Sequence, residues 1–216
     1  MRDAFHRELE SLDQEIVRMG ALVEQSTQLA TTALIEGDKM LAQKVREGDN
    51  EIDALFLDIE KRSLTLLAQQ APVAGDLRLI VAILRVVNDL ERAGDLAYNI
   101  AKLVQSEDFH EPGIKAVRSL VSDLGQAAGR LMGAAIDSWA TKDEKLAADI
   151  TLQDDKLDDL HARLIEKLVE LKGEDSLGPA IRLAMVGRYF ERIGDHAVNL
   201  SERVCYFVTG DEERLG

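Results

Sequence analysis

Four pairs of acidic residues, each spaced four apart, carry the chemistry this sequence offers. They are Asp49 with Asp53, Glu91 with Asp95, Asp154 with Asp158, and Glu191 with Asp195. Residues four apart stack on one face of an α-helix, so each pair sets like charges side by side. At about 100° per residue, Glu91 falls within the apolar arc of Ile80, Ile83, Leu84, Val87, Leu90 and Ala97, with Asp95 at its edge. Asp49 and Asp53 stand in the same relation to Ile52, Leu55, Phe56, Ile59 and Leu66. The other two pairs repeat this around Leu157, Leu160 and Leu164, and around Leu183, Phe190 and Ala197. A carboxylate at the margin of a helical interior either takes up a proton or demands a cation. Two such pairs on facing helices offer roughly four to eight oxygens around one point, the ligand set of a hard or borderline divalent cation. Ordinary salt bridges to Arg85, Arg92, Arg182, Arg188 or Arg192 are the competing use of the same charges.

The elements that hold these pairs are helices. Only three prolines interrupt the chain, Pro72, Pro112 and Pro179, and the stretches between them are rich in Ala, Leu, Glu, Asp, Lys and Arg. Apolar residues there recur every three or four positions, which predicts helix throughout. Turn signals at Gly37-Asp38, Pro72 to Asp76, Glu111-Pro112-Gly113, Thr141-Lys142-Asp143 and Gly173 to Pro179 cut out six long helices. Their expected spans are near 5–36, 38–70, 74–107, 113–140, 142–172 and 177–209.

The second three helices duplicate the first three. The stretch Asp89-Leu90-Glu91-Arg92-Ala93-Gly94-Asp95-Leu96-Ala97-Tyr98-Asn99-Ile100 matches Tyr189-Phe190-Glu191-Arg192-Ile193-Gly194-Asp195-His196-Ala197-Val198-Asn199-Leu200 at residues 100 apart. Upstream the spacing becomes 105, setting Asp38 on Asp143, Asp49 on Asp154 and Asp53 on Asp158. An internal repeat of this kind predicts an all-α fold of two tandem, pseudo-repeated three-helix bundles with antiparallel helices, one over residues 1–110 and one over 111–216.

The repeat also sorts the neighbouring polar residues. His161 takes the place of Phe56 and stands three residues after Asp158, which turns it inward at the same site. His196 follows Asp195 but replaces Leu96, a position that reads as peripheral. Asn99 and Asn199 lie one turn beyond Asp95 and Asp195, where hydrogen bonds to a ligating group suit them as well as ligation does. Gly94 and Gly194 sit near the middle of the apolar arc, where the lack of a Cβ lets a neighbouring helix come close.

Composition narrows the function classes. Of 216 residues, 40 are acidic and 26 basic, a net charge of −14, with no basic stripe of the kind nucleic acid or anionic lipid would need. The lone Cys205 forbids an internal disulfide and a Cys-rich zinc module, and suits a reducing compartment. The longest charge-free run, Ser63 to Gly75, is too short and too polar for a membrane span of about 20 residues, and the opening residues lack the apolar core of a signal peptide. No Gly-rich phosphate loop, nucleophile elbow or Ser/His/Asp set is present. The expectation is a non-enzymatic, cytoplasmic protein.

The chain resembles the PhoU family of phosphate-uptake regulators over nearly its whole length. The resemblance rests on the opening Arg2-Asp3-Ala4-Phe5-His6, the Gly75-Asp76-Leu77-Arg78 turn, Leu90 to Asp95, Phe190 to Asn199, and the doubled acidic pairs. It implies metal ions (iron, zinc, manganese or magnesium) held by Asp49, Asp53, Glu91, Asp95, Asp154, Asp158, Glu191 and Asp195. It also implies a negative regulator of the phosphate-starvation response and of phosphate uptake. Such a protein would link the ATPase subunit of a phosphate ABC importer to a sensor histidine kinase, peripheral to the inner membrane face through those partners, as a homodimer. Two other readings stay open. A ferritin-like di-metal oxidoreductase would need Glu-x-x-His pairs, and only Asp158-Asp159-Leu160-His161 approaches that spacing. A metal-free helical scaffold would need every acid satisfied by arginine.

Overall fold

The computed structural model describes residues 2–70, 72–104, 112–115, 117–171 and 176–210, and among the described residues there is no strand. The helices in chain order are α1 (Arg2–Glu36), α2 (Lys39–Gln70), α3 (Ala74–Lys102), α4 (Pro112–Lys115), α5 (Arg118–Thr141), α6 (Glu144–Val169) and α7 (Leu177–Thr209). The six long helices expected are present. A four-residue helical turn, α4, precedes the fourth of them, α5, which starts at Arg118 and not at 113. Ile114 and Val117 are both buried and the Val117 amide donates to the Ile114 carbonyl at 3.0 Å, so burial at this corner favours a tight turn over a continuous helix. The expected helix ends at 105–107 and 172, and the bundle boundary at 110/111, lie outside the described residues.

The duplication is visible down to its turns. The α1–α2 turn has Gly37 in the left-handed region (φ 67°) followed by Asp38, whose Oδ1 accepts from the Met40 and Leu41 amides at 2.9 Å each. The α5–α6 turn repeats this with Lys142 (φ 56°) and Asp143, which caps Lys145 and Leu146. A side chain in that region costs on the order of 1 kcal/mol, and the Lys142 contacts offset it. Its ammonium lies 4.3 Å from the centre of the Trp139 ring and 2.6 Å from Asp13 Oδ1 on α1.

Helices α1, α2 and α3 pack on one another, as do α5, α6 and α7; the bundles join through α1 against α5 and α3 against α7. A Cβ at Gly20 would collide with Ile136, and one at Gly125 with Thr31. Thr31 and Ile136 are themselves repeat partners, 105 apart. The same contact is therefore made twice, once from each side, and an approximate two-fold axis relates the bundles. One continuous core results, and Phe190, Met19, Ile83 and Trp139 are among its largest fully buried side chains.

Candidate metal centre

Residues 83–100 of α3 and 183–200 of α7 carry the same sequence of buried, half-buried and exposed positions, residue for residue. Glu91 and Glu191 are half-buried and Asp95 and Asp195 exposed in both. On the facing helices α2 and α6, Asp49 and Asp154 are half-buried while Asp53 and Asp158 are exposed. Each set thus has two acids sunk into the groove between its helices and two at the rim, as the wheel positions predict.

Glycine makes room for the sunken aspartates. A Cβ at position 94 would stand 3.2 Å from Ile52 Cγ2 and 3.6 Å from Asp49 Oδ1. In the second set the fit is tighter: a Cβ at position 194 would collide with Leu157 and stand 2.7 Å from Asp154 Oδ1. That Asp154 oxygen is buried and has no hydrogen-bond partner.

Electrostatics show that the four acids of each set share one neighbourhood. Burial, and then the charges of Asp53, Asp95 and Glu91, push the Asp49 carboxyl up to about 6. Burial, followed by Asp158, Asp195, Glu191 and Asp155, does the same to Asp154, again to about 6. Glu91 is raised by burial, Asp95 and Asp53, against the opposing pull of Arg92 and His196. Glu191 is raised by burial and Asp195, opposed by Arg188 and His161. Two half-buried groups that strain to hold a charge, one with an orphaned oxygen, match the donor chemistry of a hard cation. Among the described residues, however, no group of three or more His, Cys, Asp or Glu side chains is already closed around a point as a ligand set. Closure would fall to the exposed rim acids Asp53, Asp95, Asp158 and Asp195, whose side chains are free to turn.

The remaining candidates separate. Arg188 pairs with Glu191, so one of the arginines considered above does engage an acid. Its repeat partner in the first bundle is Asn88, which donates instead to the Leu84 carbonyl at 2.7 Å, and among the described residues no ion pair reaches Glu91. His161 is half-buried against Gly187, as an inward-facing residue should be. His196 corrects the expectation of a peripheral residue: it is 7% exposed, and its Nδ1 lies 2.9 Å from Asp89 Oδ1 on α3. Asn199 donates to the same oxygen at 3.2 Å, which commits it to the bundle interface; Asn99 is half-buried on α3. Asp89 is the polar residue the sequence reading passed over. Its signal was the mismatch with Tyr189 inside an otherwise matched repeat.

Comparisons with known proteins agree with this architecture. The PhoU domain family matches residues 16–104 and 121–204. The phosphate-specific transport system accessory protein PhoU homolog 2 of Mycobacterium tuberculosis is 33% identical over 210 residues, covering 97% of this chain and 99% of that protein. The PhoU homolog of Pseudomonas putida is 37% identical over 215 residues, covering 97% of this chain and 82% of its own. Among solved structures, PhoU from Pseudomonas aeruginosa superposes with a TM-score of 0.90 at 33% identity, covering 96% of this chain and 100% of the other. The phosphate transport system regulatory protein PhoU from Streptococcus pneumoniae gives 0.81 at 25% identity, covering 96% and 98%.

Proposed function

The chain belongs to the PhoU family, and from that premise we propose that it is a non-catalytic accessory protein of a phosphate-specific transport system. It holds metal ions in its two acidic sets and represses the phosphate-starvation response when phosphate is plentiful. Contact with the ATPase subunit of the importer and with a sensor histidine kinase, on the cytoplasmic face of the membrane, is the route of that repression. The observation that carries the reading is the near-full-length match to relatives named for phosphate transport, joined to eight acids at repeat-equivalent positions. No described helix is long and apolar enough to cross a membrane, which favours action through partners. A net charge of −14 favours basic faces on those partners and makes association sensitive to salt.

Within this reading the acids do the binding and the helices do the positioning. Asp49 and Asp154 would anchor a cation from the groove, Glu91 and Glu191 would oppose them, and the rim aspartates would close over it. A bound cation supplies positive charge that removes the mutual repulsion of four carboxylates and stiffens α2 against α3 and α6 against α7. Deletion of the gene should leave alkaline phosphatase expressed in phosphate-rich medium. A chain carrying Glu91→Gln and Glu191→Gln should restore repression only partly. Repression that survives the deletion, with neither ATPase nor kinase recovered in low-salt pull-downs, overturns the reading.

A further inference from the structure

The groove between α6 and α7 changes character along its length. Contacts at its two glycines fix the register: position 194 lies against Asp154 and Leu157, and position 187 against His161 and Leu164. The helices are therefore antiparallel, and residues face one another across the groove in levels about one turn apart. Asp154 stands across from Asp195, Asp158 from Glu191, His161 from Arg188, Ile165 from Met185, and Val169 from Ile181. Leu177 continues α7 one turn past Ile181. The acidic end thus runs directly into Ile165, Val169, Leu177, Ile181 and Met185, which are between 36% and 79% exposed.

In the first bundle the run is interrupted. Leu64 and Leu77 are exposed there too. By the same register, however, Glu60 stands across from Arg85, an acid facing a base, where the second bundle has Ile165 and Met185. Large apolar side chains left in water add nothing to the fold, and a contiguous group of them marks an interaction surface. The acids beside it repel anionic lipid, and a second copy of a chain with a net charge of −14 brings further acid. What complements the groove is a segment that is basic at one end and apolar at the other. From Asp154 to Val169 the groove runs about 22 Å, or roughly four helical turns. We propose that it docks an amphipathic helix of a partner protein, with lysine or arginine on one face of two turns and large apolar residues on the same face of the next two. This rests on the accessory-protein reading only for the existence of a partner, and it needs no metal.

The test uses the full chain treated with chelator, which leaves the acids free, and a fluorescent synthetic peptide of about 16 residues, four helical turns. The peptide carries lysines on one face of its first two turns and leucines on the same face of its last two. It should bind at a single site, less tightly as salt is raised. Ile165→Glu combined with Met185→Arg installs the first bundle's residues at exposed positions without altering net charge. This double variant should bind the peptide at least about tenfold more weakly. A peptide with serines in place of leucines should bind both chains alike. In the unmutated chain the peptide should move the NMR signals of the Gly187 and Gly194 amides and leave that of Gly94; this locates the groove even if the double variant does not fold. Undiminished binding by the double variant, or equal shifts at Gly94 and Gly194, overturns the proposal. If the double variant instead dissolves a dimer, or releases the chain from phosphatidylglycerol vesicles, while peptide binding is unchanged, the face belongs to a second copy or to a membrane and the proposal falls. The deletion strain and pull-downs described above judge the accessory-protein reading separately.

Discussion

The two bundles share a backbone and a burial pattern but not the side chains that surround their acids. Positions 83–100 and 183–200 are buried alike throughout, and Asp49 and Asp154 are both pushed to about 6. Yet Glu191 has Arg188 beside it where Glu91 has Asn88, and the Asp89–His196–Asn199 cluster replaces what its repeat positions would make of Tyr189, Leu96 and Asn99. What was kept after duplication is the groove that sinks one aspartate and one glutamate between two helices. What diverged is the charge balance around it. On α3 of the first bundle Asp89 holds a buried imidazole from across the interface; the second set has an exposed guanidinium on its own helix.

The largest expected difference between the halves is steric. Gly194→Ala drives a methyl into Leu157, which is fully buried, and against Asp154 Oδ1. Overpacking of this kind costs about 1–3 kcal/mol, and the helix propensity gained from alanine returns at most about 1. Gly94→Ala meets Ile52 at 3.2 Å, a contact that a small shift absorbs, so its cost should be offset by propensity. Urea unfolding should therefore place Gly194→Ala below the unmutated chain and Gly94→Ala close to it. Equal midpoints would mean that the two grooves have the same width and that the contrast at Leu157 is illusory.

Next in size is an effect the halves should share. In chelator-stripped protein, Asp49 and Asp154 hold protons up to about pH 6 when folded, whereas the unfolded chain releases them near its ordinary carboxylate value. The folded state then binds more protons between those limits, so stability falls as pH rises through the window and the loss is complete above about 6. Asp49→Asn and Asp154→Asn should each remove that loss. The gain in metal-free stability at pH 7.5 is on the order of 1 kcal/mol apiece once solvent screening is allowed for. Thermal unfolding at pH 4.5 and 7.5 checks it, with the two variants matching each other. Added divalent cation should reverse the order, since the charged aspartates then have a partner. A variant that is no more stable at pH 7.5 than the unmutated chain would remove the case for repulsion in that groove.

The shared features were legible in the sequence because they follow from period and repetition. A spacing of four placed each pair on one helix face, and the second copy showed that the placement was not accidental. The features that differ were hidden because they depend on the contact between bundles. A single wheel gives α3 and α7 one buried face, but each helix packs against its own bundle and also against the other, so Leu96 and His196, read as outer positions, are both buried. The partner of His196 lies 107 residues away in the chain, and no local pattern announces it. Lys142 in a left-handed turn was equally out of reach, because what holds it is Asp13, 129 residues earlier. The break between α4 and α5 belongs to the same class, since the burial of Ile114 and Val117 is decided by the finished core.

The smallest expected effect is the sharpest probe of the charge contrast. Arg188 is more than half exposed, so its pair with Glu191 contributes under about 1 kcal/mol. It nevertheless occupies the glutamate that a cation would use, and the first bundle has only Asn88 at that position. Arg188→Asn should therefore tighten manganese binding at the second set, and Asn88→Arg should loosen it at the first, each by no more than about fivefold. The backbone amides of Gly94 and Gly194 sit in the two grooves, and their NMR signals would follow the sites separately during one titration. Both shifts should shrink as salt is raised, because an exposed charge is screened within about 10 Å at 0.1 M ionic strength. Opposite shifts that fade with salt would show that the halves differ in metal affinity through competition by one surface arginine. Shifts of the same sign, or none at low salt, would mean that Arg188 rests on Glu191 without competing for it, and that any difference in affinity arises at the interface side of the groove instead.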